Sequence, residues 1–176
     1  MTIKMKTIDS PLGALRLFAT DELAGVYLPA QHVDLDAVVQ PSKLLDRTAR
    51  QLDEYFAGRR TEFDLPLGPR GTGFQQLVWR ALLTIPFGDT RSYGEQARTI
   101  GRPSASRAVG AANGKNPISI IVPCHRVIAG SGELTGYAGG MDAKRWLLDH
   151  ERAVIAGRHA RVRACSTGTW SRVSQA

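Results

Sequence analysis

The sequence predicts an α+β protein of two domains. An antiparallel sheet carrying one helix comes first, and a mainly helical domain with a helix-turn-helix and a candidate active-site cysteine follows. Three observations predict it. Short β-prone runs broken by Pro and Gly fill the start of the chain. The stretch LPLGPRGTG, from Leu65 to Gly73, interrupts it. Beyond that stretch, apolar residues recur at helical spacing.

The elements follow in order. MKTID, the turn SPLG, ALRLFAT, DELAG and GVYLP make short strands and turns. SKLLDRTARQLDEYFAG then sets Leu45, Ala49, Leu52 and Tyr55/Phe56 on one helical face, with Ser42 as N-cap and Gly58 just past the end. Residues 1–66 hold nothing resembling a site and are expected to be a structural domain, with 67–71 as linker. Residues 72–151 form the second domain. In it FQQLVWRALLTI is helical, capped by Thr72 and ended by Pro86 and Gly88.

Two further helical patterns, Tyr93–Ile100 and Ser104–Ala112, flank Gly101-Arg102-Pro103. A helix pair joined by a tight Gly-containing turn is a helix-turn-helix candidate. The second helix is built of small residues, Ala105, Ser106, Ala108, Gly110, Ala111 and Ala112, with one long cation, Arg107. Such a helix can approach another surface closely, whether a nucleic acid or a neighbouring helix. Ile118–Val122 reads as a buried strand that Pro123 ends, delivering Cys124 at its tip. KRWLLDHE is an amphipathic helical segment ending at Glu151, and residues 152–176 form a basic tail.

The chain of 176 residues is 43% hydrophobic and 22% charged, a globular composition. Its net charge of +7 is unevenly placed: residues 1–70 hold 9 Lys/Arg against 10 Asp/Glu, and the remainder 14 against 6. That imbalance points to an anionic partner, nucleic acid first, although the tail alone carries five arginines and no acid. No apolar stretch approaches the roughly 20 residues needed to span a bilayer, so no membrane association is expected. Cys124 and Cys165 make no disulfide framework, which favours a reducing cytoplasm.

Cys124 is followed by His125 and Arg126. A thiol attacks as thiolate, and neighbouring imidazole and guanidinium groups favour that form. A lone cysteine after an apolar run is equally a small core residue. Adjacent Cys and His do not easily chelate one ion, and no second ligand pair stands at zinc spacing, so no metal is expected. In ELTGYAGGM, three glycines around Tyr137 allow close approach to a flat ligand beside an aromatic face, or make a simple turn.

PCHRV at 123–127 resembles the active-site motif of the O6-alkylguanine-DNA alkyltransferases, also called methylated-DNA–protein-cysteine methyltransferases. FQQLVWRALLTIPFGDTRSYGEQA, GRPSASRAVGAANGKNPISIIVPCHRVI, TGYAGG and KRWLLDHE resemble that family in order and spacing over residues 72–151. SPLG and LDEYFAG carry a looser likeness across residues 5–66, which implies a ribonuclease-H-like first domain.

The resemblance implies that Cys124 accepts the alkyl group, with His125, a bound water and Glu151 drawing off its proton. Tyr93 would serve the base ring. Val127, through its carbonyl, Tyr137 and Ala138 would complete the base pocket, and Asn116 would tie the helix-turn-helix to the active-site segment. Arg107 would fill the gap left by a flipped nucleotide, with Ala105, Ser106, Gly110, Ser92 and Tyr93 at the DNA. Some relatives have serine at the position of Ala138, so only a backbone contact is expected there. The zinc-binding Cys/His set of some relatives is missing from the first domain.

The expected activity is single-turnover repair of O6-alkylguanine in double-stranded DNA by a cytoplasmic monomer without cofactor. Three alternatives compete with it. They are a lesion-binding module without transfer, a thiol hydrolase, and a redox-sensing transcription factor using the same helix pair.

Overall fold

The computed structural model describes residues 2–166. Strands β1 (Ile3–Ile8), β2 (Leu15–Ala19), β3 (Leu23–Tyr27) and β4 (Ala37–Val39) form one sheet in the order β3-β2-β1-β4. β1 pairs antiparallel with β2, placing Thr7 opposite Arg16, and β2 pairs antiparallel with β3. The three-residue β4 adds parallel to β1, a strand too short to announce itself in the sequence. α1 (Lys43–Phe56) lies against the sheet, and Leu45, Ala49, Leu52 and Tyr55 are its buried face, as the spacing predicts. The Ser42 hydroxyl accepts the Leu45 N–H at 3.4 Å.

α2 (Gly73–Leu82) begins in a full capping box. Thr72 Oγ accepts the Gln75 N–H at 3.2 Å, and Gln75 Oε1 accepts the Thr72 N–H at 2.9 Å. After the two-residue strand β5 (Arg91–Ser92) come α3 (Tyr93–Thr99) and α4 (Ser106–Gly114), the expected helix-turn-helix. α4 starts two residues later than the sequence pattern suggests, because Ala105 N–H closes a turn onto the Arg102 carbonyl at 2.9 Å. Polar ties lock this bundle. Trp79 Nε1 donates to the Ala112 carbonyl at 2.8 Å, and the Gln96 and Asn113 amides exchange bonds of 2.9 and 3.3 Å.

Ile118–Val122 is not the strand expected. All five residues are buried, but only Ile118 bridges to the sheet, at Val26. The rest coils: Val122 N–H returns to the Ile118 carbonyl at 3.0 Å, and Ile120 sits at φ 73°. The cause is Asn116, whose Oδ1 accepts the Ile118 N–H at 3.0 Å while Nδ2 donates to the Val122 carbonyl at 2.8 Å. A β-branched residue in left-handed backbone costs about 1–3 kcal/mol and persists only where its surroundings over-determine it. Cys124–Arg126 then forms a single 3₁₀ turn, and β6 (Val127–Ile128) pairs with β5.

α5 (Met141–Ser166) does not stop at Glu151; neither Pro nor Gly stands in Arg152–Ala156, and the helix continues through Gly157 into the basic tail. Residues 167–176 and the side chain of Cys165 lie outside what the structure describes, and with them the expectations for the rest of the tail. Among the described residues no helix is long and apolar enough to cross a membrane.

The open edge of β3 joins the two halves. Leu23 N–H donates to the Pro66 carbonyl at 2.8 Å, Val26 N–H to Pro117 at 2.9 Å, and Ser119 N–H returns to Val26 at 3.0 Å. The edge is thus covered by the connecting segment and by the loop before Cys124. Removing the cap of α2 should loosen the frame without touching the site. Thr72→Ala is expected to lower unfolding free energy by about 1 kcal/mol, read from the urea midpoint at unchanged slope.

Candidate active site

Two loops and two helices converge on Cys124. Asn116 Nδ2 donates to its sulfur at 3.2 Å, so the same amide that bends the preceding loop also holds the thiol. Behind the thiol, His125 and Arg126 point inward, both buried, to meet Glu151 from α5. His125 Nε2 lies 2.8 Å from Glu151 Oε1. The Arg126 fork donates from Nη2 to Oε1 and from Nε to Oε2, each at 2.9 Å. Tyr55 of α1 donates its hydroxyl to Oε1 at 2.8 Å, and the Gly88 N–H reaches Oε2 at 3.0 Å.

This arrangement fixes the His125 tautomer. Burial would raise the Glu151 carboxyl, but hydrogen bonds from His125 and Arg126, with the charge of the Arg126 guanidinium, outweigh it and hold the group far below the ordinary carboxylate range. An ionised carboxylate only accepts, so His125 Nε2 carries the proton. Burial, against a weaker pull from Glu151, lowers the His125 pKa and keeps the ring neutral. Its Nδ1 is therefore a lone-pair acceptor, buried, with no partner among the described residues. The Cys124 thiol is pushed up by burial, with Asn116 and Lys144 opposing.

In front of the thiol is a cavity of about 320 Å³, lined by Tyr93, Gly110, Asn113, Cys124, Tyr137 and Ala138 among others. Two larger hollows, about 990 and 460 Å³, lie elsewhere between the domains and do not reach Cys124. The Tyr93 hydroxyl donates to the Thr135 carbonyl at 3.1 Å, closing one wall. Burial, with Cys124 nearby, raises the Tyr137 hydroxyl well above its ordinary pKa.

The predicted residues fall into three groups. Tyr93, Cys124, Tyr137, Ala138 and Gly110 line the cavity. Asn116, His125, Glu151 and Val127 stand behind it, buried. Ala105, Ser106, Arg107 and Ser92 lie on the helix-turn-helix outside the cavity, Arg107 exposed and Ser92 occupied as the α3 cap at 3.1 Å from Glu95 N–H. Among the described residues no cluster of three His, Cys, Asp or Glu side chains is placed to hold a metal ion.

Three participants escaped the sequence reading. Tyr55 stood only for packing. Gly88 was only a helix end. Lys144 was passed over, yet it is completely buried, and its Nζ donates to the carbonyls of Val127 at 2.6 Å and Thr135 at 2.9 Å. Two turns of helix separate it from Glu151, which places both on one face of α5 and was the available signal.

A buried thiol with an imidazole and an ionised carboxylate behind it, opening beside a helix-turn-helix, is the arrangement of a cysteine nucleophile set at a DNA-binding helix pair. The comparisons name the family. Residues 73–153 match the model of the 6-O-methylguanine DNA methyltransferase DNA-binding domain, and residues 3–69 match its ribonuclease-like domain. The chain belongs to this family. It is 52% identical over 159 residues to the methylated-DNA–protein-cysteine methyltransferase of Mycobacterium bovis, covering 86% of this chain and 93% of that protein. It is 49% identical over 148 residues to that of Methanosarcina acetivorans, covering 81% and 94%. The crystal structure of Mycobacterium tuberculosis OGT in complex with DNA superposes with TM-score 0.81 at 52% identity, covering 88% of this chain and 94% of that one.

The buried charges set an acid limit to stability. Unfolded, His125 takes up its proton near pH 6.5 and Glu151 near 4.5, whereas both pKa values are lowered in the fold. The unfolded state binds more protons through those ranges. Stability is therefore full above pH 6.5 and falls on acidification, first through His125 and then, below pH 4.5, through Glu151. Glu151→Gln should remove the second fall from urea midpoints measured against pH. At pH 7 it should cost about 3–5 kcal/mol, because Arg126 is left buried without its counter-charge.

Proposed function

We propose that this protein repairs double-stranded DNA by moving the alkyl group of an O6-alkylguanine onto Cys124 in one irreversible step. The observation that carries the reading is Cys124 on the wall of the cavity beside the helix-turn-helix, with the His125–Glu151 pair behind it. Residues 72–151 supply DNA binding and transfer, residues 1–66 the structural domain, 67–71 the connection, and the tail from 152 adds positive charge.

The Cys124 proton passes through a bridging water to His125 Nδ1, whose ring Glu151 orients and whose cationic form it stabilises. The thiolate attacks the saturated carbon on O6, the S–C bond forms as the C–O bond breaks, and guanine leaves with the electron pair. Tyr93, released from the Thr135 carbonyl, donates to the departing base. The product is a thioether, which water does not cleave, so each molecule acts once. No cofactor enters the balance.

The target carbon is inside a duplex, so the nucleotide must leave the stack. A cavity of about 320 Å³ falls in the range that holds a small flat ligand, about 300–1,000 Å³. Val127, through its second carbonyl lone pair, Tyr137 and the backbone at Ala138 would hold the base. The exposed, small-residue face of α4 suits the narrow minor groove, and Arg107 reaches from it into the gap. Ala105, Ser106, Gly110 and Ser92 border that contact, and Asn116 couples it to the thiol loop. The protein works as a monomer in a reducing cytoplasm.

Burial raises the thiol pKa, which favours one rival, a lesion-binding module in which Cys124 is inert. Intact-protein mass after mixing with a duplex bearing one O6-methylguanine decides between them. The expected gain is one methylene on Cys124, stopping at one per protein, with Cys124→Ser binding the duplex but gaining nothing. Binding without any gain would leave the lesion-binding module. Arg107→Ala should slow transfer from duplex far more than it weakens binding to unmodified DNA. Affinity should fall steeply as salt rises.

A further inference from the structure

The turn that follows β3, Leu28–Gln31, reaches out of the first domain to two segments that carry the cavity walls, at Ser119 and beside Gly139. Gln31 is 9% exposed, and its Oε1 accepts two hydrogen bonds, from the Leu28 N–H at 2.8 Å and from the Ser119 hydroxyl at 3.1 Å. The Arg16 guanidinium clamps the same turn from β2, donating to the Leu28 carbonyl at 3.3 Å and to the Gln31 carbonyl. Ser119 belongs to the strained loop before Cys124: its carbonyl accepts the Ile121 N–H at 2.9 Å across Ile120, the residue at φ 73°.

Leu28 lies behind the loop that carries the other wall. A Cβ added to Gly139 would stand 2.8 Å from Leu28 Cδ2 and 2.8 Å from Tyr137 Cε1, so the leucine and the tyrosine ring meet across a glycine with no room to spare. The Tyr137 hydroxyl is buried beside the Ser119 side chain without a well-formed hydrogen bond among the described residues, and its ring lines the cavity beside Cys124.

We infer that Gln31 is a positioning residue for alkyl transfer, acting through Ser119 on the thiol loop while its turn, through Leu28, sets Tyr137 against the base. The inference rests on the transfer reading above and assigns the first domain a part in the reaction beyond stability. Gln31 touches neither thiol nor base. It sets two cavity walls relative to each other, one ending at Cys124 and one at Tyr137. In-line attack demands that the sulfur and the alkyl carbon be held in register, and a small error of placement is expensive.

The test compares the full-length protein with Gln31→Met, which keeps the length and removes the acceptor, and Gln31→Glu, which keeps acceptor oxygens. Three quantities are read well below the melting temperature. They are the maximal single-turnover rate and half-saturating concentration on an O6-methylguanine duplex, the affinity for the same duplex without the lesion, and the rate of Cys124 reaction with iodoacetamide against pH.

The expected result for Gln31→Met is a maximal rate down by about 10-fold or more, with the other quantities within about 2-fold of the parent. Gln31→Glu should recover most of the rate. An unchanged maximal rate in Gln31→Met overturns the inference, as does a loss matched by equal losses in iodoacetamide reactivity and DNA affinity. If Gln31→Met does not fold, Ser119→Ala breaks the same link from the other side and must show the same split. A parent protein that gains no methyl group overturns the functional reading itself. A parent that transfers normally beside an unimpaired variant overturns this inference alone.

Discussion

One buried carboxylate organises this molecule. Glu151 collects bonds from three separate stretches of chain: Tyr55 on α1, Gly88 after α2, and the neighbours His125 and Arg126 on the thiol turn. A carboxylate taken out of water costs several kcal/mol unless its lone pairs are filled and a cation stands beside it. Here both conditions are met, and they are met only when the first domain, the α2 loop, the thiol turn and α5 occupy their native places together. The pair with Arg126 therefore does more for uniqueness than for net stability. Its orientation of His125 is a by-product of the same geometry.

The thiol is placed under opposed influences. Burial holds it protonated, whereas the Asn116 amide and the Lys144 ammonium favour the thiolate. Lys144 is itself costly to bury, and its compensation consists of backbone carbonyls alone, on Val127 and on the 135–136 loop. That choice of partners has a consequence. A lysine paired with a carboxylate would be neutralised, while one held by carbonyls keeps its positive field and staples the loop that carries Tyr137. Burial lowers its pKa, and negative charge on Cys124 opposes that shift.

Much of this was legible in the sequence, and the failures have physical causes. The helix starts at Ser42 and Thr72 were readable because capping is a local interaction three residues long. The helix-turn-helix was readable from its breaker, Gly101-Arg102-Pro103, with Gly101 at φ 71°. Ile118–Val122 misled because a run buried on every side has no period, and a strand and a coiled buried loop then look alike. Its true conformation is dictated by Asn116, a tertiary use of a residue that the sequence also offers as a plain turn former. Cys124, His125 and Glu151 stood out by motif. Tyr55 and Lys144 did not, since a tyrosine on an apolar face and a lysine on an amphipathic helix ordinarily mean packing and solvent.

The small residues of α4 admitted two explanations, close packing within the protein and close approach to a partner, and the structure joins them. Val109, Ala112 and Asn113 are buried against α2 and α3, which lets Trp79 reach the Ala112 carbonyl. Arg107, Ala108 and Ala111 lie on the opposite, exposed side. Between the two faces is Gly110, where a Cβ would sit 3.5 Å from the Tyr93 ring, at ordinary contact distance and inside the cavity. A larger residue there would push Tyr93 off the Thr135 carbonyl and narrow the base site. The helix that meets an outside surface and the ring that closes the cavity are thus one packed unit, so a load on α4 is felt at Tyr93 without any moving part between them.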